Sequence, residues 1–216
     1  LGEDTSNLNN ANKGGYFYIL DSTKVPATKN RWGNLDLTLQ KLFGKKCDHK
    51  VLKKNESCYL RRGILQDNQS FIRAVKFIIA DINSSKTISL QMFKDMILQK
   101  LDEETFYQLK NGMLSILFDV PGSNETPYRF YKKYIIDKDT LIDERIVWDL
   151  LSWPGIITKK GLNIFILQNK KILCSNSNNY DQNRESILIY KNGKYYEPII
   201  YVQNVKKNPT ISIIQP

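Results

Sequence analysis

The stretch Asp67-Asn68-Gln69-Ser70-Phe71-Ile72-Arg73-Ala74-Val75 decides how this chain is read. Three polar, turn-forming residues lead into a run that stays apolar through Phe77, Ile78 and Ile79. A helix that is apolar on nearly every face has to be buried. The spacing therefore predicts a core helix over 70–82, with Asp67 or Asn68 capping its first N–H groups. Ser70 stands at the positive end of that helix, where a developing anion is favoured.

Upstream, residues 1–14 are polar and rich in Asn and Gly, and read as a disordered tail. Residues 15–57 read as an N-terminal arm: a short strand over 16–20, a short helix from Leu35 to Phe43 ending at Gly44, and a basic connecting loop over 45–57. Downstream, Ser89 opens a helix carrying Phe93, Ile97 and Leu101 on one stripe. Phe106 to Leu117 continues helical spacing across Gly112. Pro127 opens an aromatic helix, and Asp143 to Leu151 forms another before Pro154-Gly155. The period then changes. Leu162 to Leu167, Ile172 to Cys174, Ile187 to Tyr190 and Tyr195 to Val202 read as strands, with Asn192-Gly193 as a hairpin turn and Ile211 to Ile214 as an added edge. Helices followed by a meander predict an α+β fold, helices packed on a small, mostly antiparallel sheet, with the main domain over 58–216.

At 41% hydrophobic, the 216 residues suffice for a sizeable core. No apolar run reaches the roughly 20 residues that cross a bilayer, so no membrane partner is expected. The chain starts without Met or a signal-peptide layout, which reads as a fragment of something longer. Three cysteines without framework spacing point to a reducing compartment. The formal charge of +10 favours polyanions, so nucleic acid is a possible partner, although a solvated lysine-rich surface is the favoured account, since the lysines are scattered along the whole chain.

A cysteine hydrolase places a thiolate at a helix start, an imidazole within hydrogen-bond reach, a group that orients the ring, and backbone N–H donors for the oxyanion. At the 67–75 stretch the chain resembles the ovarian-tumour (OTU) family of deubiquitinating cysteine proteases, whose motif runs Asp-Gly-Asn-Cys-Leu/Phe-Phe-Arg-Ala-Val/Ile. Asp67, Phe71, Arg73, Ala74 and Val75 match it, while Asn68, Gln69 and Ser70 depart, the last from the nucleophile. The family ends on a strand bearing His-Tyr. Lys194-Tyr195-Tyr196-Glu197-Pro198-Ile199 is similar to that strand, with Tyr195 where the histidine would stand. Element order extends the resemblance over roughly residues 58–202. It implies a papain-like, OTU-like fold and a groove able to hold an extended peptide such as a ubiquitin tail. The only histidine, His49, lies upstream of the turn. Tyrosine, with a pKa of about 10, is no base at neutral pH. A Ser–Lys arrangement using Lys191 or Lys194 would need a buried lysine, and both flank a solvated turn.

Several ordered strings also resemble large uncharacterised proteins of nucleocytoplasmic large DNA viruses: Arg31-Trp32-Gly33-Asn34-Leu35, Leu109-Lys110-Asn111-Gly112, Gly161-Leu162-Asn163-Ile164-Phe165 and Tyr196-Glu197-Pro198-Ile199. That resemblance implies a virion or transcription-associated component, in the host cytoplasm or the virion. Cys47-Asp48-His49, Cys58 and Cys174 could ligate zinc, but their spacing is not that of paired knuckles, so neither metal nor cofactor is expected. The helix Tyr128 to Tyr134, with Arg129, Lys132 and Lys133, could stack bases, or simply pack.

The reading is thus a degenerate hydrolase domain with no intact catalytic set, its relics being Asp67, Ser70 and Tyr195. It would bind a protein partner or other subunits of a viral assembly. The alternatives are an active or substrate-trapped deubiquitinase, and a nucleic-acid-associated transcription or packaging component.

Overall fold

The computed structural model describes residues 17–20, 29–44, 47, 50–53, 55–81, 87–168, 171–174, 180–204 and 209–212. The 1–14 tail and His49 lie outside the described residues. The strands are β1 (Phe17–Leu20), β2 (Trp32–Asn34), β3 (Val51–Leu52), β4 (Ser57–Arg62), β5 (Leu162–Gln168), β6 (Lys171–Cys174), β7 (Glu185–Asn192), β8 (Tyr195–Asn204) and β9 (Pro209–Ser212). They form one sheet in the order β3-β1-β2-β4-β8-β7-β5-β6, with β9 beside β8. Pairing is antiparallel except at β1–β2 and β5–β7. This is the α+β, mostly antiparallel architecture that the change of period predicts.

The sheet has two differently dressed faces. On one, α2 (Ser70–Lys76) lies against β8, and Phe71, Ile72 and Val75 share a core with Leu60, Ile187, Ile189, Tyr196, Ile200 and Val202. Around α2 pack α3 (Leu90–Lys100), α4 (Glu103–Gln108), α5 (Met113–Leu117), α6 (Pro127–Ile136) and α7 (Glu144–Ser152). Their starts are set by capping: Ser89 accepts from the Met92 N–H, Asp102 from Thr105, and Pro127 opens α6 behind Thr126. The turn from α7 to β5 needs Gly161, at φ +87°, since a Cβ there would lie 2.5 Å from the Ser152 carbonyl. On the other face, α1 (Leu37–Leu42) covers less area. Leu35 and Leu39 pack on Leu167, Leu188 and Ile199.

The structure departs from the sequence reading in four places. The stretch 15–57 is no separate arm, because β1, β2 and β3 join the same sheet through β2–β4 pairing, and α1 covers its second face. The expected strand over 16–20 is β1, whereas β2 and β3, with three and two residues, are too short for periodicity to reveal. The expected helix over 70–82 widens after Lys76 into a π turn over Phe77–Asp81. The β7–β8 hairpin pairs Asn192 with Tyr195, so its two-residue loop is Gly193-Lys194, one position beyond the expected turn. Finally, Cys47 and Cys58 form a disulfide, with Cα atoms 6.0 Å apart, where a reduced set was expected. Buried Gln40 holds Cys47 in place. Its Oε1 accepts from the Cys47 N–H at 2.5 Å, and its Nε2 donates to Leu35 O at 2.7 Å.

Candidate functional site

The turn before α2 is folded upon itself. Asp67 Oδ1 accepts from the Gln69 N–H at 2.9 Å, and the Asp67 carbonyl accepts from the Ser70 N–H at 3.2 Å. Asp67 Oδ2 meets Arg73 Nε at 2.9 Å and a terminal guanidinium nitrogen at 2.8 Å. Asp67 therefore shapes the turn and pairs one helical turn ahead, while Gln69 occupies the cap position without a side-chain cap bond. The consequence is chemical. The N–H groups that a hydrolase would aim at an oxyanion are here engaged by Asp67.

A strap then closes over the turn. In the α6–α7 connection, the carbonyl of Asp137 accepts from Gln69 Nε2 at 2.8 Å and that of Asp139 from Asn68 Nδ2 at 3.2 Å. The Ile142 N–H donates to Asn68 O at 2.8 Å. Lys94, reaching from α3, donates a further bond to Asp137 O at 3.2 Å. Beneath this strap Ser70 is only 2% exposed. Burial, with the Arg73 guanidinium alongside, pushes the Lys94 ammonium down to about 8.

Across α2 from the strap lies β8. Its side chains alternate between the faces of the sheet, and Tyr196 is the one that meets α2, ring on ring with Phe71 at 5.0 Å. Tyr195 consequently points to the opposite face, where Lys194 sits over its ring. Sequence matching singled out Tyr195, and it is Tyr196 that faces α2. A one-residue difference in register exchanges the two faces.

The Tyr196 hydroxyl donates to Glu144 Oε2 at the start of α7, and Lys191 Nζ donates to Glu144 Oε1 at 2.5 Å. Burial, reinforced by the Glu144 carboxylate, drives the Tyr196 phenol far above its ordinary range. Tyr196 is thus a fixed donor. Lys191 is engaged in an ion pair with Glu144. Nothing in the sequence marked Glu144, Lys94 or the strap, although strict alternation along β8 would have favoured Tyr196 over Tyr195.

The other candidates resolve into structure. Tyr128, Tyr131 and Tyr134 of α6 donate their hydroxyls to the carbonyls of Leu101, Ile146 and Leu141, and pack on Phe106 and Phe118, so they are committed to the helical layer. Among the described residues no group of three or more His, Cys, Asp or Glu side chains could hold a metal. Among them, too, no helix is long and apolar enough to cross a membrane.

No family model matches the chain. An uncharacterized protein of Acanthamoeba polyphaga mimivirus is 30% identical over 186 residues, covering 74% of this chain and 11% of that protein. The chain thus spans about a tenth of the length of the curated relative it matches. A solved structure of an ovarian tumour (OTU) domain in complex with ubiquitin is similar at 18% identity, over 73% of this chain and 76% of that one, with a TM-score of 0.45.

Proposed function

We propose that this chain is a catalytically silent, OTU-like domain that serves a large viral protein as a protein-binding or architectural module. The observation that carries the reading is the state of the helix start. Ser70 is buried, the N–H groups of Gln69 and Ser70 are engaged by Asp67, and the residue facing α2 from β8 is a tyrosine tied to Glu144. A serine hydroxyl does not ionise near neutrality and attacks only with a base beside it. In this reading the fold retains the hydrolase frame and uses the surface around the α2–β8 seam to hold a partner, a ubiquitin-like tail or another subunit of a viral assembly. The Cys47–Cys58 bond favours the virion over the host cytoplasm as its place of residence, since disulfides persist in oxidising settings such as virion surfaces.

The test is incubation with ubiquitin chains and with a ubiquitin probe carrying a thiol-reactive C-terminus. The native chain and Ser70→Ala are expected to leave the chains equally intact. Cleavage by the native chain that disappears in Ser70→Ala overturns the proposal and makes the domain an active deubiquitinase. Restoring chemistry requires Ser70→Cys together with Tyr196→His. Probe labelling in that pair, and none in Ser70→Cys with Tyr195→His, supports the spatial assignment. The reverse outcome sinks it.

A further inference from the structure

Two arginines follow one another at the end of β4, and the alternation of the strand sends them to opposite faces of the sheet. Both are buried, Arg61 at 1% exposure and Arg62 at 4%. A guanidinium keeps its proton at neutral pH, so each of the two either has an anion beside it or bears the cost of burial without one. Arg61 has its anion. Glu197 Oε2 lies 3.1 Å from a terminal nitrogen, and Asn34 O accepts from Nε at 3.0 Å.

Arg62 has none. On the α2 face its guanidinium carbon sits 4.8 Å from the centre of the Trp32 ring and 5.9 Å from that of Phe77. Trp32 is its cross-strand partner on β2, and Phe77 is the first residue of the π turn that follows α2. Such π turns recur at functional sites. Among the described residues no carboxylate pairs with Arg62, and its Nε is shut off from solvent without a hydrogen-bond partner. Burial pulls its pKa down to about 10, and no charged neighbour pushes it back, so the group is a cation at neutral pH. The rings attract that cation but offer no oxygen to its N–H donors.

The chemistry of the absent partner follows from the group itself. A guanidinium is planar, with its donors arranged as a fork in that plane. A carboxylate is also flat, carries one negative charge and sets two oxygens where the fork can meet both. A phosphate group brings close to two charges at neutral pH and three acceptor oxygens, more than one guanidinium satisfies. On the other face of the same strand, the chain itself meets Arg61 with a carboxylate. We propose that Arg62 is a binding site for a single carboxylate, held beside Trp32 and Phe77. The carboxylate arrives as a small free anion or on an acidic side chain of a partner protein, and the titration below separates these sources. The site stands independently of the silent-hydrolase reading.

The test follows the proton–nitrogen NMR signal of Arg62 Nε, with acetate replacing chloride at constant ionic strength, alongside thermal melts. Acetate is expected to move the signal to saturation and to raise the melting temperature along the same curve. Arg62→Met should abolish that rise. Arg62→Lys keeps the charge without the fork, and should weaken acetate binding by about tenfold, the worth of one charge-assisted hydrogen bond. The NMR titration uses the native chain, so it decides the matter even where a variant fails to fold. A terminally blocked peptide with one glutamate is compared with its glutamine counterpart, which should not bind. Saturation by the glutamate peptide at lower concentration than acetate supports a carboxylate carried by a protein, and saturation at equal or higher concentration supports a small free anion. A signal that acetate leaves in place overturns the proposal. So does a melting response that Arg62→Met retains, or a stronger response to phosphate than to acetate.

Discussion

Replacing Lys94 by methionine should stabilise the protein at neutral pH and destabilise it in strong alkali. Lys94 is 1% exposed, and its ammonium is held at about 8 against an ordinary 10.5. Burial is the larger cause, and the Arg73 guanidinium adds to it, while Asp137, Asp67 and Asp95 oppose. A lysine whose folded pKa is depressed costs stability wherever the folded protein must carry the proton. Between pH 8 and 10.5 the unfolded chain keeps a proton that the folded chain has released, so stability climbs with pH across that window. Below it the cost is constant, at about 3 kcal/mol for a difference of this size. Methionine keeps the apolar stem and removes the charge. It also removes the bond to Asp137 O, worth about 1 kcal/mol, but that carbonyl retains Gln69 Nε2. Lys94→Met should therefore be roughly 2 kcal/mol more stable than the native chain near pH 7 and roughly 1 kcal/mol less stable above pH 10.5, with a crossing between. Urea unfolding of both chains across this range, read as the difference between them, cancels the other titrating groups. A difference that is destabilising and flat with pH would refute the reasoning, because it would mean that Lys94 is solvated and contributes only its hydrogen bond.

Two further outcomes follow from buried pairs. Cys47→Ser, or reduction of the native chain, should lower stability by about 3 kcal/mol, the chain-entropy expectation for a loop of this length, measured by denaturant titration with and without reductant. Arg61 and Glu197, each with a side chain 1% exposed and 3.1 Å apart, form an ion pair beneath α1. Arg61→Met alone should be destabilising, because the buried carboxylate loses the guanidinium beside it, whereas Arg61→Met with Glu197→Leu should recover part of that loss, as thermal and urea melts of the single and double variants would register.

Long, periodic elements were legible in the sequence, and contacts that depend on register were not. The all-apolar run from Ser70 specified a buried helix, and Ser89, Pro127 and Asp143 specified where helices begin. The strand over 16–20 was legible as β1, whereas β2 and β3 escaped because three and two residues carry no measurable alternation. Pairing of Cys47 with Cys58 escaped because it depends on Gln40 and on the path of the loop, neither of which spacing encodes. At the site, matching along the string singled out Tyr195, whereas alternation along β8 puts Tyr196 on the face that meets α2. Lys94 carried no signal at all. A lysine between Phe93 and Asp95 reads as solvated until α2 and the 137–142 strap are seen to cover it.

Asn68, Gln69 and Ser70 make physical sense together. Asn68 and Gln69 both bind the strap. Closing the strap buries position 70, and a buried thiolate there would be costly. A serine tolerates that burial as a neutral group. On the facing strand, Tyr196 fills the space with a ring against Phe71 and secures α7 through Glu144. Asn68, Gln69 and Tyr196 thus each add a contact that holds this end of α2 in place, and the helix start is a joint between α2, α3 and the α6–α7 connection.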